Sequence, residues 1–458
     1  MRWHVLTFAL IVGAICIAPS AVAGAANARP AGFGQVAQVK LQVPEGAVAG
    51  PDFNVDRATR AYLDLLTPEQ RRRSDAYFEG GYWIRLWTLL YGLAIAAVLL
   101  FGRVAARLRD RTRWTRFPAL NAGFFGVGYA IFVAVLTLPW TIYTGFIREH
   151  HYGLATQTFS AWFRDWGVGL AVSAVLSLIA LWVLYAVFRR VGQSWWLWGS
   201  VVGLMLLAVV MAVAPVYIAP LFNNYQPLPQ GHIRSRILSL ARANGIPAEN
   251  VYWFDASRQT NRISANVSGL GPTTRISLND NLLTRQSEEG IEAVMAHEMG
   301  HYVLHHAFRL IIDFGLLLVI GFACVAWAFR RLVARFGGRW GVSGVADPAG
   351  WPLIVALFAV FFFLMTPMVN TTIRTAEQEA DYFGLNAAQQ PDGFAMAAIS
   401  LAEYRKLEPG PVERFIFYDH PSGYDRVHAA MQWKAEHLAN YGVTSEGQAV
   451  SPEAGSSP

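Results

Sequence analysis

The sequence predicts a mainly α, multi-pass membrane protein, a bundle or barrel of about six to seven transmembrane helices joined to a helical domain with a metal site and a small β element. Three observations predict it. The chain of 458 residues is 54% hydrophobic and only 15% charged, too apolar for an ordinary soluble enzyme of two domains. Six apolar runs approach or exceed the roughly 20 residues that cross a bilayer as a helix. Beside them stands His297-Glu298-Met299-Gly300-His301, two imidazoles and a carboxylate spaced to meet one metal ion.

Taken in order, Met1 to Gly24 combines Arg2, an apolar run from Val5 to Ala18 and the small residues Ala21-Val22-Ala23, the pattern of a cleaved signal peptide or of an uncleaved N-terminal anchor. An extramembranous stretch follows to Tyr82, with short helical pieces at Arg57 to Leu66 and Glu69 to Tyr77 around Pro68, the second bearing Arg71, Arg72 and Arg73. Residues 25–222 then form an N-terminal membrane domain with four spans, at Leu86 to Gly102, Ala119 to Phe146, Gly167 to Phe188 and Trp195 to Phe222. Residues 223–431 make a second domain with two more spans, Leu310 to Phe329 and Trp351 to Val369, and 432–458 a polar, disordered tail. Trp195, Trp196 and Trp351 at span ends fit an interfacial belt. Asp313 lies inside the fifth span, where an acid either serves function or pairs with Arg309 one turn away. Cys16 and Cys324 both sit in apolar runs, which excludes a disulfide framework or a cysteine metal site.

Loop charge sets the orientation. Arg103, Arg107, Arg109, Arg111, Arg113 and Arg116, then Arg189 and Arg190, then Arg330, Arg331, Arg335 and Arg339 fall on one side, which the positive-inside rule makes cytoplasmic. The short loop Arg148 to Trp166, the long segment Asn223 to Ala307 and everything after Thr371 share the other side. The surplus of +6 is mostly loop arginine, so the charge gives no argument for nucleic acid. The expected location is a bacterial inner membrane, with the metal site on its extracytoplasmic face.

The chemistry begins at His297. On a helix, positions i and i+4 share a face about 6 Å apart along the axis, so His297 and His301 can reach one ion while Glu298 holds a water bound to it. Glu288, Glu289 and Glu292 with Ile291, Val294 and Met295 read as the first turns of that helix. A metzincin would need glycine and histidine where the chain has Leu304 and Ala307. His305 and His306 follow too closely to return to the same face, and read either as extra ligands or as groups supporting the helix end. Downstream, Glu377 and Asp381 are again i and i+4: a carboxylate for the metal and a second to orient a ligand histidine, or else a solvated acidic helix.

With these residues the chain resembles the integral-membrane zinc metallopeptidases of the type I CAAX prenyl protease family, over about Thr67 to Met431. The resemblance rests on Ile218 to Asn223 with Pro227-Leu228-Pro229, Ser264-Ala265-Asn266-Val267, His297 to His301, Glu377 with Ala380-Asp381, and Asp419-His420-Pro421-Ser422 with Arg426. It implies one Zn2+ per chain held by His297, His301 and Glu377, Glu298 as general base, His420 and Arg426 at the site, and Asp381 behind a ligand. Peptide hydrolysis needs those parts: an activated water, a base for its proton, and donors for the oxyanion, which His420 and Arg426 would supply. Asn266 is expected to hydrogen-bond a peptide substrate along an edge strand formed near Asn250 to Asn279, where Val251 to Phe254 and Thr273 to Leu278 have strand composition, or else to cap a loop. Expected partners are the bilayer and peptide or protein substrates, either prenylated or, in membrane protein quality control, membrane-associated or misfolded. A zinc-dependent transporter would not need Glu298, and a silent zinc scaffold would close the fourth coordination position.

Overall fold

A computed structural model describes residues 39–269 and 274–442; the segment expected to be a signal or anchor, and the far end of the expected tail, lie outside these residues. The chain enters with α1 (Val55–Leu63), capped by Asn54, and α2 (Pro68–Phe101), opened by a capping box at Thr67 and Gln70. The helical piece expected at Glu69 to Tyr77 is thus no separate element but the extramembranous start of the first span. Next come α3 (Val104–Arg111), α4 (Pro118–Ile142), α5 (Phe159–Val191) and α6 (Trp195–Val213).

Among the described residues four helical runs are long and apolar enough to cross a membrane, with a fifth if one bent pair is counted together. One run, Phe159–Leu221, has 63 residues and would stretch about 95 Å if straight, some three times the bilayer core. It holds two spans. Gly192 takes a φ of +56°, a conformation glycine adopts at little cost, and there the chain reverses so that α6 packs back on α5. Phe188, Trp195, Phe322 and Phe329 pack edge to face inside this bundle, with Trp195 6.0 Å from Phe322 and 6.2 Å from Phe329.

After α6 the chain leaves the spans and builds a four-stranded sheet from β1 (Tyr225–Pro227), β2 (Val251–Phe254), β3 (Ala265–Ser268) and β4 (Arg275–Asn279), in the order β1-β2-β4-β3. β2 and β4 are parallel and the outer strands antiparallel, with Asn266 opposite Ser277. Amphipathic α7 (His232–Ala243) covers the sheet, burying Ile233, Ile237 and Ala241 against Val251, Ile276 and Leu278. On the same core lies α8 (Glu288–Val303), which carries His297 and His301.

The last spans are α9 (His306–Trp340) and α10 (Trp351–Leu364), followed by α11 (Thr366–Ala388), α12 (Pro391–Leu401), α13 (Pro411–Phe417) and α14 (Gly423–Glu436). α10 and α11 meet at 59° across Met365, with Pro367 unable to donate a hydrogen bond in the first turn of α11. Ordered structure continues beyond residue 431, since α14 runs to Glu436 and buries Trp433 and Lys434.

Two polar clusters mark the two faces of the bundle. On one, Arg109 contacts Asp347 at 2.7 Å and the Gly341 carbonyl at 2.9 Å, joining α3 to the loop after α9. On the other, Arg262 contacts Glu149 at 2.6 Å and Lys434 donates to the Ala47 carbonyl at 2.7 Å. The arginine-rich loops therefore share one face, and the sheet, α8 and α11 the other.

Candidate active site

The site is made where α8 crosses α11. Ser287 starts α8, its hydroxyl accepting from the Gly290 amide at 3.2 Å, and Ile291, Met295 and Met299 bury the opposite side of the helix. This leaves His297 and His301 facing α11. The two backbones come close because each offers a glycine: a Cβ on Gly300 would stand 3.2 Å from the Ala380 Cα, and one on Gly384 would stand 2.9 Å from the His297 amide nitrogen. Glu377, Ala380, Asp381 and Gly384 form one face of α11, with the small residues at the crossing and the carboxylates at the imidazoles.

At that crossing His297 Nε2 lies 3.2 Å from His301 Nε2 and 3.3 Å from Glu377 Oε2, while His301 Nε2 is 3.4 Å from Glu377 Oε1. A tetrahedral ion with bonds of about 2.05 Å would separate its ligand atoms by about 3.3 Å. The two Nε2 atoms thus face each other and each meets a different oxygen of the Glu377 carboxylate, an approach close enough for one ion to be shared by the three side chains. Glu377 is 1% exposed, and its Oε1 is buried without a hydrogen-bond partner, as a carboxylate awaiting a cation would be.

Behind the donors the groups are braced. Asp381 Oδ1 is 2.8 Å from His297 Nδ1, a charge contact on the side of the ring away from the other donors. Arg426, buried in the first turns of α14, reaches Asp381 at 2.9 Å through Nε and Glu377 at 3.1 Å through a terminal nitrogen. Ser422 caps that helix and so aims Arg426 inward. His420 points Nε2 toward Glu377 Oε2 at 3.4 Å and holds Asp419 at 2.8 Å through Nδ1. Burial, with Arg405 nearby, keeps His420 below the ordinary imidazole value. Glu298 is half-buried on the same helix, within electrostatic reach of Arg426. Asn266 lies on edge strand β3, which packs against α8.

Every residue expected at the site except Asn266 is therefore on, or one residue from, the α8–α11 crossing or the segment that braces it. Asn266 is one strand away. Sequence reasoning did not single out Gly300 and Gly384, although small residues on the faces bearing His297 and Glu377 were a readable signal. It gave no role to Asp419, whose place beside His420 depends on the turn before α14. Asp313 stays near Arg309, at 3.9 Å, and His306 proves to be buried against His301.

With His297 as a ligand, metal uptake would be a proton-release step. In the metal-free protein burial lowers the His297 pKa, but hydrogen bonds to Asp381 and Glu377 and their charges outweigh it, so that it is pushed up to about 10. Ligation needs the neutral ring, so loading must expel this proton and affinity must rise with pH, by about tenfold per unit through the neutral range. Calorimetric titration in two buffers of different ionisation enthalpy should show at least about one proton released per ion. A pH-independent affinity would contradict this account of His297.

Transmembrane helices bound to a helix-borne His, His, Glu donor group define an integral-membrane metallopeptidase. The chain belongs to peptidase family M48: "Peptidase family M48" matches residues 227–434, and "CAAX prenyl protease N-terminal, five membrane helices" matches residues 55–224. It is 30% identical over 307 residues to the uncharacterized metalloprotease YhfN of Bacillus subtilis, covering 65% of this chain and 72% of that protein. CAAX prenyl protease 1 of Saccharomyces cerevisiae is 26% identical over 325 residues, covering 67% and 71%. In fold the chain is similar to the crystal structure of S. mikatae Ste24p, with a TM-score of 0.68 at 22% identity over 80% of this chain and 90% of that one. The protein is thus a metal-dependent endopeptidase of the membrane, and the transporter and scaffold readings are not favoured.

Proposed function

We propose that the ion is a single zinc held by His297, His301 and Glu377, and that the protein uses it to hydrolyse peptide bonds in membrane-associated substrates. The observation that carries this reading is the convergence of the His297 and His301 Nε2 atoms, 3.2 Å apart, on the two oxygens of Glu377 at 3.3 and 3.4 Å, with Asp381 against His297. Two imidazole nitrogens and a carboxylate suit zinc. Zinc would acidify the attacking water and polarise the scissile carbonyl. Glu298 takes the water proton and passes it to the leaving amine, as its place beside His297 allows. Arg426 aligns Glu377 and Asp381 and supplies donors to the developing oxyanion, and His420 adds a further donor from Nε2 when its ring carries both protons. Asn266, on the edge strand beside α8, hydrogen-bonds the substrate backbone as that backbone extends the sheet.

For the substrate, a lipid-bearing peptide is supported by a cavity of about 980 Å³ lined by Trp83, Trp87, Trp140, Tyr143 and Arg148. On a neighbouring face of the same turn of α2, Tyr82 stacks on Phe417 at 3.8 Å, two residues before Asp419. The arginine-rich loops on the opposite face support an extracytoplasmic site in a bacterial inner membrane.

Purified protein in detergent, with its metal content determined, tests both parts. It should carry about one zinc per chain and cleave a peptide with a prenylated cysteine near its C-terminus at a KM about tenfold below that of the unprenylated peptide. Trp83→Ala with Trp87→Ala should remove most of that preference while leaving kcat on the unprenylated peptide unchanged. Equal KM for the two peptides would refute the lipid reading alone; absence of zinc and of cleavage would refute the whole.

A further inference from the structure

We infer that His306 is a positioning residue for the metal site, fixing the tautomer and direction of His301 and tying that ligand to the membrane span that follows it. The inference rests on His301 being a ligand, as proposed above.

In an unbroken helix a residue five positions after His301 would lie about 140° round the axis and could not touch its ring. Here α8 ends at Leu304, His305 takes a left-handed φ of +54°, and α9 restarts at His306. The break folds His306 back beneath α8. Its side chain is buried, with Nδ1 2.9 Å from His301 Nδ1 and Nε2 3.0 Å from Glu379 Oε2. Glu379 is held in turn by Arg309, at 2.9 and 2.7 Å to its two oxygens.

One arrangement of protons satisfies this chain. His301 must present an unprotonated Nε2 to the ion, so its proton sits on Nδ1. Across 2.9 Å one ring nitrogen donates and the other accepts, which makes His306 Nδ1 the acceptor. The His306 proton then belongs on Nε2, where it is donated to the Glu379 carboxylate. A negative charge at the far end of two imidazoles makes His301 a better donor to a cation. Asp381 does the same directly for His297, so each histidine ligand has its own carboxylate: Asp381 from the face of α11 that meets α8, Glu379 from the side of α11 that meets the start of α9. Arg309 and Glu379 join α9 to α11, so the orientation of His301 depends on how the fifth span enters the membrane.

The test is zinc affinity of metal-free protein, purified in detergent and measured by competition with a chromophoric chelator, alongside the thermal midpoint of the metal-free form. His306→Ala should weaken zinc binding about 10- to 100-fold, with Glu379→Gln losing less. His306→Asn should restore binding to within a few-fold, because its Oδ1 takes the place of Nδ1 and accepts from His301. His305→Asn, at an exposed left-handed position that asparagine tolerates, should leave affinity unchanged. Wild-type affinity in His306→Ala overturns the inference, as does an equal loss in the alanine and asparagine variants with a lowered midpoint, which would mean His306 only packs. Undiminished zinc affinity in His301→Ala would instead overturn the ligand reading beneath it.

Discussion

Glu298→Gln should lower kcat for peptide cleavage by about three orders of magnitude while zinc content stays at the wild-type level. The separation is expected because Glu298 contributes no atom to the donor group of His297, His301 and Glu377. The amide is nearly isosteric but cannot accept the water proton, so binding of substrate and metal should survive and KM should change little. Glu377→Gln should behave differently, losing metal and activity together, since a buried neutral amide replaces the only anionic donor. Retained cleavage in Glu298→Gln would refute the general-base role, and loss of zinc in the same variant would place Glu298 among the ligands.

Lys434→Met should destabilise the fold by about 3–5 kcal/mol, without touching the metal donors. Lys434 is 2% exposed and its ammonium is shared between Asp392, at 2.7 and 2.9 Å, and the Ala47 carbonyl. Tyr62 adds a hydrogen bond to the same carboxylate at 2.7 Å. Removing the lysine strands a buried carboxylate that only Tyr62 and the first turn of α12 can stabilise; the helix dipole there keeps the cost toward the lower end. The effect should be read as earlier denaturant unfolding and faster proteolysis between Glu45 and Leu66, the segment this cluster fastens to α12 and α14. Adding Asp392→Asn should recover much of the loss. A change below about 1 kcal/mol in the single variant would show that water reaches the carboxylate after all.

Sequence pattern alone located the helix of His297 and His301, because Ser287 and the acidic first turn mark its start, and it located Glu377 and Asp381 by their shared face. The spans were legible for the same reason: their apolar runs are long. What stayed hidden was set by contacts between distant elements. The approach of α8 to α11 depends on Gly300 and Gly384 lying opposite each other, which no spacing within either helix reveals. The place of His306 depends on one left-handed residue, and histidine gives little notice of that conformation. The bend at Met365 and the reversal at Gly192 likewise divide or redirect helices that composition presents as simple runs.

The donor group straddles two membrane crossings: His297 and His301 precede α9, and Glu377 follows α10. During synthesis the first two ligands leave the ribosome long before the third, and they can meet it only after both spans have been threaded through the bilayer and turned back. On the proposed ligand set, a half-inserted chain would have the histidine pair without the third donor. Completion of the proposed donor group would then wait on insertion of both spans.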